Sequence, residues 1–522
     1  MNISFFGYEA VKIAVNSKTE IYKFIGADRA LFSECRRVIT GSYGYSERES
    51  YDRAGHIFGG YAKDKDAVFV NFFDGTGELT LVRESDSRYF SYCDAAPDTK
   101  NRVAPEVSQI HLEDFGMSYA IRLSDGRYIL IDGGRNLEPD VDRLYECVRA
   151  GSPYELPVIA AWILTHPHSD HYHAMLGFMK KYGSLVKVEK VMFNFPEADD
   201  LEHYPKLVVD DDRFDEDVSE IANIPKLHSA VKECGAEVYI PRTGQTYKIG
   251  DAVLEILISM DDTIGFSTSI NASSLVIRME LGGQVILFAT DSPSGTNKLP
   301  YKYGNYLKAD ILQAPHHGFG TGDVDAEILT YELVKPKICM LPVSEYNGYK
   351  WFCTFQRGTR YLFSNLGVDE MILGDVTRTL TLPYTAPAYK KEELKRKYLG
   401  GIESNGSTSW VFSGLNTSRP EDFEFTVVNT TNAYTTLWIE LLFEDKDRRV
   451  RDIKTVIPYC RITKLNIVGD KVDGDALYFN WQSLKGQGIP ENVEFAVRFL
   501  SDEPLVIAHK DHKDCYHASV YR

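Results

Sequence analysis

The stretch THPHSDH at 165–171 constrains this chain more than any other feature of its sequence. It holds three of the 13 histidines of the 522-residue chain, and it lies between an apolar run at 158–164 and a helical pattern at 171–182. A loop at a strand end can aim four of its side chains into one small volume: His166, His168, Asp170 and His171. Imidazole nitrogens and carboxylate oxygens bind zinc at about 2.0–2.2 Å. A purely hydrogen-bonded loop is the alternative, but three close histidines would stabilise it little, so a metal site is predicted.

The length of the chain predicts more than one hydrophobic core. One core rarely supports 522 residues, and about two to four domains are expected. Alternating apolar segments with turn residues predict a β-rich N-terminal domain at 1–100. A series of short strand-like segments predicts a C-terminal β-sandwich at 405–522. The domain that carries the histidine stretch lies between them at 106–385, before a charged linker at 390–398.

The composition argues against several classes of partner. The net charge of −17 repels a phosphate backbone at long range, which disfavours nucleic acid unless a local basic patch overrides it. A small or medium soluble substrate is expected instead. The chain has no apolar run long enough for a membrane span, no signal-peptide pattern, and 8 cysteines without a CxxC pair. These features predict a cytoplasmic protein with reduced thiols, and its oligomeric state is not predicted.

Three further motifs at predicted strand ends carry metal-ligand chemistry. The tripeptide DGG at 132–134 follows a predicted hairpin. Asp291 ends the apolar strand at 284–290, where a carboxylate could bridge two metals. A strand at 309–313 then runs into PHHG at 315–318, which supplies another imidazole. Each motif alone is common, but their order after the histidine stretch predicts one shared site.

Together these motifs resemble the signature of the metallo-β-lactamase superfamily, whose members are mostly dinuclear metal hydrolases. The segments NASSLVIRMELGGQVILFATD at 271–291 and ILQAPHHG at 311–318 resemble the branch found in DNA-uptake competence proteins and their stand-alone relatives. The resemblance covers about residues 106–380. It implies an α/β fold, the four-layer αββα sandwich.

The resemblance also implies a role for each candidate residue. It implies two divalent ions with these metal ligands: His166, His168, Asp170, His171, Asp291 and His316. His166 and His168 would hold the first ion. Asp170 and His171 would hold the second, which His316 would complete. Asp291 would bridge the two ions. Asp170 and His317 are the candidate catalytic residues, His317 through the leaving group or the oxyanion. A reversed assignment, with His317 as the ligand and His316 behind it, stays open. Asp132 would orient the histidine loop by hydrogen bonds.

The implied cofactor is a pair of divalent ions about 3.5–4 Å apart. Zinc is favoured by the histidine-rich set, while manganese and iron also suit mixed nitrogen and oxygen ligands. A water between the ions would lose its proton and attack a phosphorus or carbonyl centre. The first hypothesis is therefore a hydrolase of phosphodiesters or phosphoesters. Hydrolysis of carboxylic esters, lactones or amides is the second, and a non-catalytic metal-binding sensor or assembly protein is the third.

The chain departs from the family pattern in two places. Many relatives have a further histidine between the metal loop and the bridging aspartate, but here only His173, His203 and His228 lie in that interval. The first metal position is therefore expected to have fewer protein ligands. The loop at 342–350 lacks the His-Pro pair that is usual in the competence-type branch, which predicts a different substrate. The acidic stretch at 196–220 is interpreted as a solvated excursion.

Overall fold

The structure, a computed structural model, describes residues 2–5, 8–14, 18–85, 89–94, 100, 102–195, 222–263, 270–320, 322–344, 357–364, 366, 368–387, 407–429, 435–444, 449–457, 461–467, 492–510 and 516–517. The chain divides into two compact units: Met1–Val343 with Glu370–Thr385, and Ser344–Asp369 with Ala386–Arg522. Several predictions fall on residues outside the described set. These are the acidic stretch at 196–220, His203, residues 345–350 of the loop at 342–350, and the linker at 390–398.

The N-terminal region of the first unit is an antiparallel sheet with one helix. Its strands are β1 (Asn2–Phe5), β2 (Tyr8–Ala14), β3 (Thr19–Ile25), β4 (Ser46–Arg53), β5 (His56–Lys63), β6 (Asp66–Phe73) and β7 (Glu78–Glu84). In space they follow the order β1-β2-β3-β7-β6-β5-β4. Helix α1 (Arg29–Arg37) begins at Asp28, whose carboxylate accepts a hydrogen bond from the backbone N–H of Leu31. Leu31 and Phe32 of the helix are buried against one face of the sheet.

The central part of the first unit alternates strands and helices. Its strands are β8 (Glu106–Gln109), β9 (Ser118–Arg122), β10 (Tyr128–Asp132), β11 (Val158–Ile163), β12 (Lys187–Val188), β13 (Lys190–Met192), β14 (Glu237–Tyr239), β15 (Thr246–Ile249), β16 (Ala252–Ile258), β17 (Val276–Leu281), β18 (Gln284–Phe288), β19 (Ile311–Gln313), β20 (Ile338–Leu341), β21 (Glu370–Leu373) and β22 (Arg378–Thr381). Its helices are α2 (Glu138–Gly151), α3 (Ser169–Tyr182), α4 (Ile224–Cys234), α5 (Met260–Thr263), α6 (Ser294–Asn297), α7 (Leu299–Tyr303) and α8 (Val324–Val334).

These strands form two mixed sheets. The first has the order β14-β13-β11-β10-β9-β8-β22, and the second has the order β15-β16-β17-β18-β19-β20-β21. In the first sheet β10 and β11 run parallel, and in the second β18, β19 and β20 do. Parallel strands bring their carboxyl ends to one edge of a sheet. The motifs that follow β10, β11, β18 and β19 are therefore collected at two sheet edges.

The two sheets enclose the main hydrophobic core. Strand alternation explains the division: Ile129 and Ile131 of β10 lie in the core between the sheets, while Leu130 packs on the other face. That other face is covered by helices, with Leu144 of α2 and Phe178 of α3 in the same cluster as Leu130. The predicted four-layer α/β arrangement is confirmed.

The predicted element boundaries hold where residue patterns are strongest. Helices predicted at 139–150, 171–182 and 225–234 begin one or two residues earlier. The third ends at Gly235, whose φ of 71° is the left-handed conformation that favours glycine. The strand predicted at 186–193 is two short strands, Lys187–Val188 and Lys190–Met192, separated at Glu189.

The N-terminal sheet is joined to the central part by buried charges, which we call the ion-pair cluster: Glu84, Arg242 and Asp261. Arg242 Nη2 lies 2.8 Å from Glu84 Oε2, and Arg242 Nη1 lies 2.7 Å from Asp261 Oδ1. All three side chains are at most 4% exposed. Met260 packs beside them into the apolar cluster of the sheet. The region predicted as a separate N-terminal domain thus shares one compact unit with the central part.

The second unit is rich in strands. Its described elements are α9 (Arg357–Ser364), β23 (Ser407–Asn416), β24 (Glu424–Asn429), β25 (Thr435–Phe443), β26 (Arg449–Ile457), β27 (Arg461–Asn466), β28 (Glu494–Lys510) and β29 (Tyr516–His517). The long strand β28 pairs with β25 through 495–501 and with β24 through 505–509. The described strands therefore share one hydrogen-bonded network over a core that includes Trp410 and Phe499. Its division into two sheets stays a prediction.

The described residues bear on two expectations, reduced thiols and the lack of a membrane span. Of the cysteines in the described residues, Cys35 and Cys339 are buried, Cys147 and Cys234 are half-buried, and Cys93 is exposed, and none forms a disulfide. Within the described part of the chain, no helix combines the length and apolar character needed to cross a membrane.

Candidate metal centre

Asp132 fixes the histidine loop from the end of β10. Its Oδ1 accepts a hydrogen bond from the Thr165 backbone N–H at 2.8 Å, and its Oδ2 accepts one from the Thr165 hydroxyl at 2.7 Å. The same Oδ2 lies 2.7 Å from His171 Nδ1. Because the carboxylate can only accept, His171 donates from Nδ1. Its Nε2 is thereby aimed at the centre of the cluster, the arrangement expected of a residue behind a metal ligand.

Two glycines after β10 allow the backbone at 133–134 to approach the backbone of the histidine loop. Gly133 and Gly134 both donate their backbone N–H groups to the carbonyl oxygen of His171, at 2.8 and 3.2 Å. On the other side, a Cβ at Gly116 would lie 2.6 Å from the carbonyl oxygen of Asp170. A side chain at position 116 would therefore push the metal loop out of place.

The first group of candidate ligands consists of His166, His168 and Asp291, whose ligand atoms all lie within 4.8 Å of one another. His166 Nε2 is 3.0 Å from His168 Nδ1. Asp291 Oδ2 lies 3.9 Å from His166 Nε2. His166 is fully buried and His168 is half-buried, so the group opens to solvent on the His168 side.

The second group consists of Asp170, His171 and His317, again within 4.8 Å of one another. His171 Nε2 lies 3.3 Å from His317 Nε2, and Asp170 Oδ2 lies 3.2 Å from His317 Nε2. Asp291 Oδ2 is 3.2 Å from His171 Nε2 and 3.3 Å from His317 Nε2. One carboxylate oxygen of Asp291 is thus shared by the two groups, where the sequence predicted a bridging residue.

His316 lies beside the second group and outside it. Its Nδ1 donates to the carbonyl oxygen of Gly320 at 2.9 Å, and its Nε2 is 3.3 Å from Asn271 Nδ2. His316 Nε2 lies 3.9 Å from Asp291 Oδ2, compared with 3.3 Å for His317 Nε2. The structure therefore brings His317 into the position that the first sequence assignment gave to His316, and the reversed assignment fits the geometry better.

The backbone at the site is held in unusual conformations. Of the nine non-glycine residues with positive φ in the described chain, four surround these groups: Asp132, Thr290, His316 and His317. Left-handed backbone costs an ordinary residue roughly 1–3 kcal/mol and persists only where the surroundings enforce it. Such strain concentrated around one set of polar side chains indicates a functional site.

Burial and carboxylates divide the imidazoles by charge. Burial keeps the pKa of His166 well below its ordinary 6.5, so that ring is neutral. Burial also acts to lower the pKa of His317, but the carboxylates of Asp291 and Asp170 outweigh it and raise the pKa to about 9. The pKa of His171 is raised in the same way, with Asp291 the strongest carboxylate. The carboxylates thus attract positive charge to the centre of the cluster.

The donor set fits divalent metal ions. Among the described residues, Asp170 and Asp291 have only histidines as ion-pair partners, with no lysine or arginine beside them. Asp291 Oδ1 is buried without a hydrogen-bond partner in that part of the chain. Imidazole nitrogens and carboxylate oxygens that face one another, with no lysine or arginine among their described partners, are chemically suited to zinc or a similar ion.

Sequence reasoning missed some residues and placed others correctly outside the groups. His173 and His228 belong to neither group, and His228 instead packs against Phe193, with ring centroids 5.5 Å apart. Thr165 was passed over, although a hydroxyl directly before the first histidine was a usable signal. Asn271 stands in the segment at 271–291, and no local signal marked it as a site residue.

Residues 112–246 match the model of the Metallo-beta-lactamase superfamily. This range includes Asp132 and the whole 165–171 stretch. No curated protein gives a significant match to the chain.

Three solved structures show weak similarity to parts of the chain. The metallo-beta-lactamase fold protein YhfI from Bacillus subtilis is 12% identical, with a TM-score of 0.31, and the match covers 53% of this chain and 98% of that one. Human tRNase Z, short form, is 12% identical with a TM-score of 0.27, covering 54% and 100%. The Anabaena sensory rhodopsin transducer is 20% identical with a TM-score of 0.16, covering 21% and 87%.

Proposed function

Because this chain carries a domain of the metallo-β-lactamase superfamily, we propose that it is a metal-dependent hydrolase of phosphodiester or phosphoester substrates. The observation that carries the proposal is the position of Asp291. Its Oδ2 lies 3.2–3.9 Å from the ring nitrogens of four histidines that come from two separate strand ends. A carboxylate oxygen so surrounded has the geometry of a bridging ligand between two ions.

We assign the ligands by their two groups. His166 and His168 hold the first ion, Asp170, His171 and His317 hold the second, and Asp291 is shared. Bound divalent ions supply an acidified water as nucleophile and positive charge for the developing oxyanion. Asp132 keeps the proton of His171 on Nδ1, so that Nε2 offers its lone pair.

The substrate class is inferred from sequence and charge. The segments at 271–291 and 311–318 resemble the competence-protein branch, which favours phosphodiester chemistry. The net charge of −17 disfavours a long nucleic acid, so a small or medium phosphodiester or phosphoester is the proposed substrate. Zinc is the proposed metal for the imidazole-rich groups, with manganese and iron as the other candidates.

The test is a substrate panel on the purified full chain, stripped of metal and reloaded separately with zinc, manganese or iron. Bis(4-nitrophenyl) phosphate and 4-nitrophenyl phosphate represent the proposed class, and a carboxylic ester and a lactone represent the alternative. We expect metal-dependent turnover of a phosphate substrate that exceeds ester and lactone turnover and disappears in an H166A/H168A variant. Faster turnover of the ester or lactone would replace the proposed substrate class.

A second outcome would overturn catalysis altogether. Background rates with every metal and substrate, in protein that binds its metal stoichiometrically, would favour a non-catalytic metal-binding sensor or assembly protein. Metal content measured on the same samples separates this outcome from simple failure to reload the site.

A further inference from the structure

The first metal position lacks the third histidine that many relatives provide. His166 and His168 are its only imidazoles within the group, and Asp291 is shared with the second group. His173 and His228, the described histidines of the interval that usually supplies the missing ligand, lie in neither group. An oxygen or nitrogen atom from another residue would take the place that the missing histidine leaves in this position.

The segment at 271–275 is hydrogen-bonded to both strand ends that form the site. The Leu275 backbone N–H donates to the Thr165 carbonyl at 3.1 Å, one residue before His166. The Leu275 carbonyl accepts from the Thr290 hydroxyl at 2.7 Å, one residue before Asp291. The Ser274 N–H closes a turn onto the Asn271 carbonyl at 3.1 Å. The backbone at 271–275 is consequently anchored to the two strand ends that precede His166 and Asp291.

The orientation of the Asn271 amide follows from His316. His316 Nδ1 donates to the Gly320 carbonyl, which can only accept, so the neutral ring presents a lone pair at Nε2. Asn271 Nδ2, 3.3 Å from that lone pair, is then the donor, and Oδ1 points away from His316.

Asn271 Oδ1 is left without any partner. It is buried and accepts no hydrogen bond among the described residues. Leaving such an acceptor unsatisfied costs about 1–3 kcal/mol, so a hydrogen-bond donor or a cation is expected to satisfy it. Asp291 Oδ1 is a second orphan in the same cluster. Two oxygen atoms without hydrogen-bond donors beside imidazole nitrogens have the composition of a mixed nitrogen and oxygen metal position.

We propose that Asn271 completes the first metal position through Oδ1, in place of the missing histidine. The inference rests on the proposed function, since it presumes that the two groups bind metal. An amide oxygen is a harder ligand than imidazole and is neutral, so the exchange preserves the charge of the site while favouring manganese relative to zinc. His316 acts as a positioning residue, because its Nε2 holds the amide nitrogen and leaves Oδ1 available to the metal.

The test compares metal binding by N271A, N271H and the wild-type full chain, with N194A as a matched control. Asn194 is a buried asparagine of the same part of the fold whose amide donates to the Pro241 carbonyl. Titrations with Mn²⁺ and Zn²⁺ give two binding steps, and the visible absorption of Co²⁺-loaded protein reports the ligand type. We expect N271A to weaken one Mn²⁺ step by about 10–100-fold, and N271H to shift the selectivity of that step towards Zn²⁺ and change the Co²⁺ spectrum.

Unchanged Mn²⁺ affinity and an unchanged Co²⁺ spectrum in N271A, equal to N194A, would overturn the inference. An H166A/H168A variant measured alongside separates the two levels: loss of metal there with full binding in N271A rejects only the role of Asn271. Retention of both metal steps in the double histidine variant rejects the proposed function itself. If N271A does not fold, N271D and N271H carry the test. An oxygen ligand and a nitrogen ligand predict opposite shifts in the selectivity between Mn²⁺ and Zn²⁺. Equal selectivity of the two variants contradicts the inference.

Discussion

The two ligand groups and the ion-pair cluster are both buried assemblies of charged side chains, and they differ in how the charges are matched. In the ion-pair cluster, Arg242 lies between Glu84 and Asp261 at 2.8 and 2.7 Å, so each acid faces a cation of the protein. Asp170 and Asp291 face imidazoles alone within the described chain. Charge that the protein neutralises internally is typical of a structural role, whereas unmatched donors are typical of a ligand site.

The comparison also separates the two assemblies by their backbone. Positive φ values accumulate at His316 and His317, whereas the three residues of the ion-pair cluster lie in ordinary conformations. The ion-pair cluster needs only that long side chains meet between two packed sheets. A metal position requires donor atoms placed within a few tenths of an ångström, and strained turns provide that placement.

The largest effect is expected from removing the first group. Replacing both His166 and His168 with alanine should reduce bound metal from about one to two equivalents to a small fraction and lower any hydrolase rate on the order of 10³-fold or more, because the nucleophile and the oxyanion both depend on the metal. Elemental analysis after gel filtration measures the first effect. R242A provides the contrast: at a temperature where it stays folded, its metal content should equal that of the wild type. Metal retained by the double histidine variant would mean that His166 and His168 are structural, like the ion-pair cluster.

The free energy of unfolding should depend on the ion-pair cluster, whose removal leaves metal binding unchanged. R242M leaves the carboxylates of Glu84 and Asp261 buried without their cation, and breaking a buried ion pair from one side costs roughly 3–5 kcal/mol. Urea unfolding of the metal-free chain measures this loss. The variant R242M/E84Q/D261N removes the charges together and should recover part of it. Equal destabilisation by the single and triple variants would show that shape, and not charge balance, explains the ion-pair cluster.

Much of the candidate metal site could be predicted because its candidate ligands follow strands. Asp132, the 165–171 stretch and Asp291 each stand at the end of an apolar segment, and parallel strands bring such ends together. The order of His316 and His317 could not be predicted. Both belong to one turn, and their φ values of 48° and 52° decide which ring enters the second group. Local sequence contains no signal for that choice.

The ion-pair cluster was missed for a different reason. Arg242 and Glu84 are 158 positions apart, and neither belongs to a motif of recognisable spacing. Their contact depends on how the N-terminal sheet packs against the central part, which residue patterns within one element do not encode. The same holds for Asn271, whose partner His316 is 45 positions away. Sequence reasoning found the strand-end chemistry and missed the long-range polar contacts.

His56 extends the comparison to a buried imidazole whose hydrogen bonds the protein itself satisfies. Its Nε2 donates to Asn71 Oδ1 at 2.7 Å, and its Nδ1 accepts from the Tyr51 hydroxyl at 3.1 Å. Burial lowers the pKa of His56 from 6.5 to about 4. Below pH 6.5 the unfolded chain binds a proton that the folded chain does not, so stability is lost as the pH falls from 6.5 through 4. The loss from this group should be about 3 kcal/mol.

The measurement is urea unfolding of wild type and H56Q at several pH values between 7 and 4. The glutamine keeps a donor for Asn71 but does not titrate in this range, so the difference between the two proteins isolates the histidine. We expect the wild type to lose about 3 kcal/mol more than H56Q across the range. Parallel curves would mean that His56 is protonated in the folded protein. Hydrogen bonds satisfied within the protein would then be a weaker sign of a structural role.

The smallest effect concerns the residue that links the two kinds of assembly. Asp132 is fully buried and hydrogen-bonded like a structural acid, yet its Oδ2 sets the tautomer of a candidate ligand, His171. In D132N the amide nitrogen would face either the Thr165 hydroxyl and His171 Nδ1 or the Thr165 N–H, and His171 would lose a charged acceptor in both orientations. Metal affinity should fall about 10–100-fold, the range typical of residues behind metal ligands.

D140N is the matched control, because Asp140 is another buried acid of the same domain that accepts from a backbone N–H, that of Glu113. It should change stability without changing metal affinity. If D132N and D140N affected metal binding equally, Asp132 would belong with the ion-pair cluster as a structural acid. The loop would then be positioned by its backbone contacts to Gly133 and Gly134 alone, and the His171 tautomer would be set by Asp291 across the site.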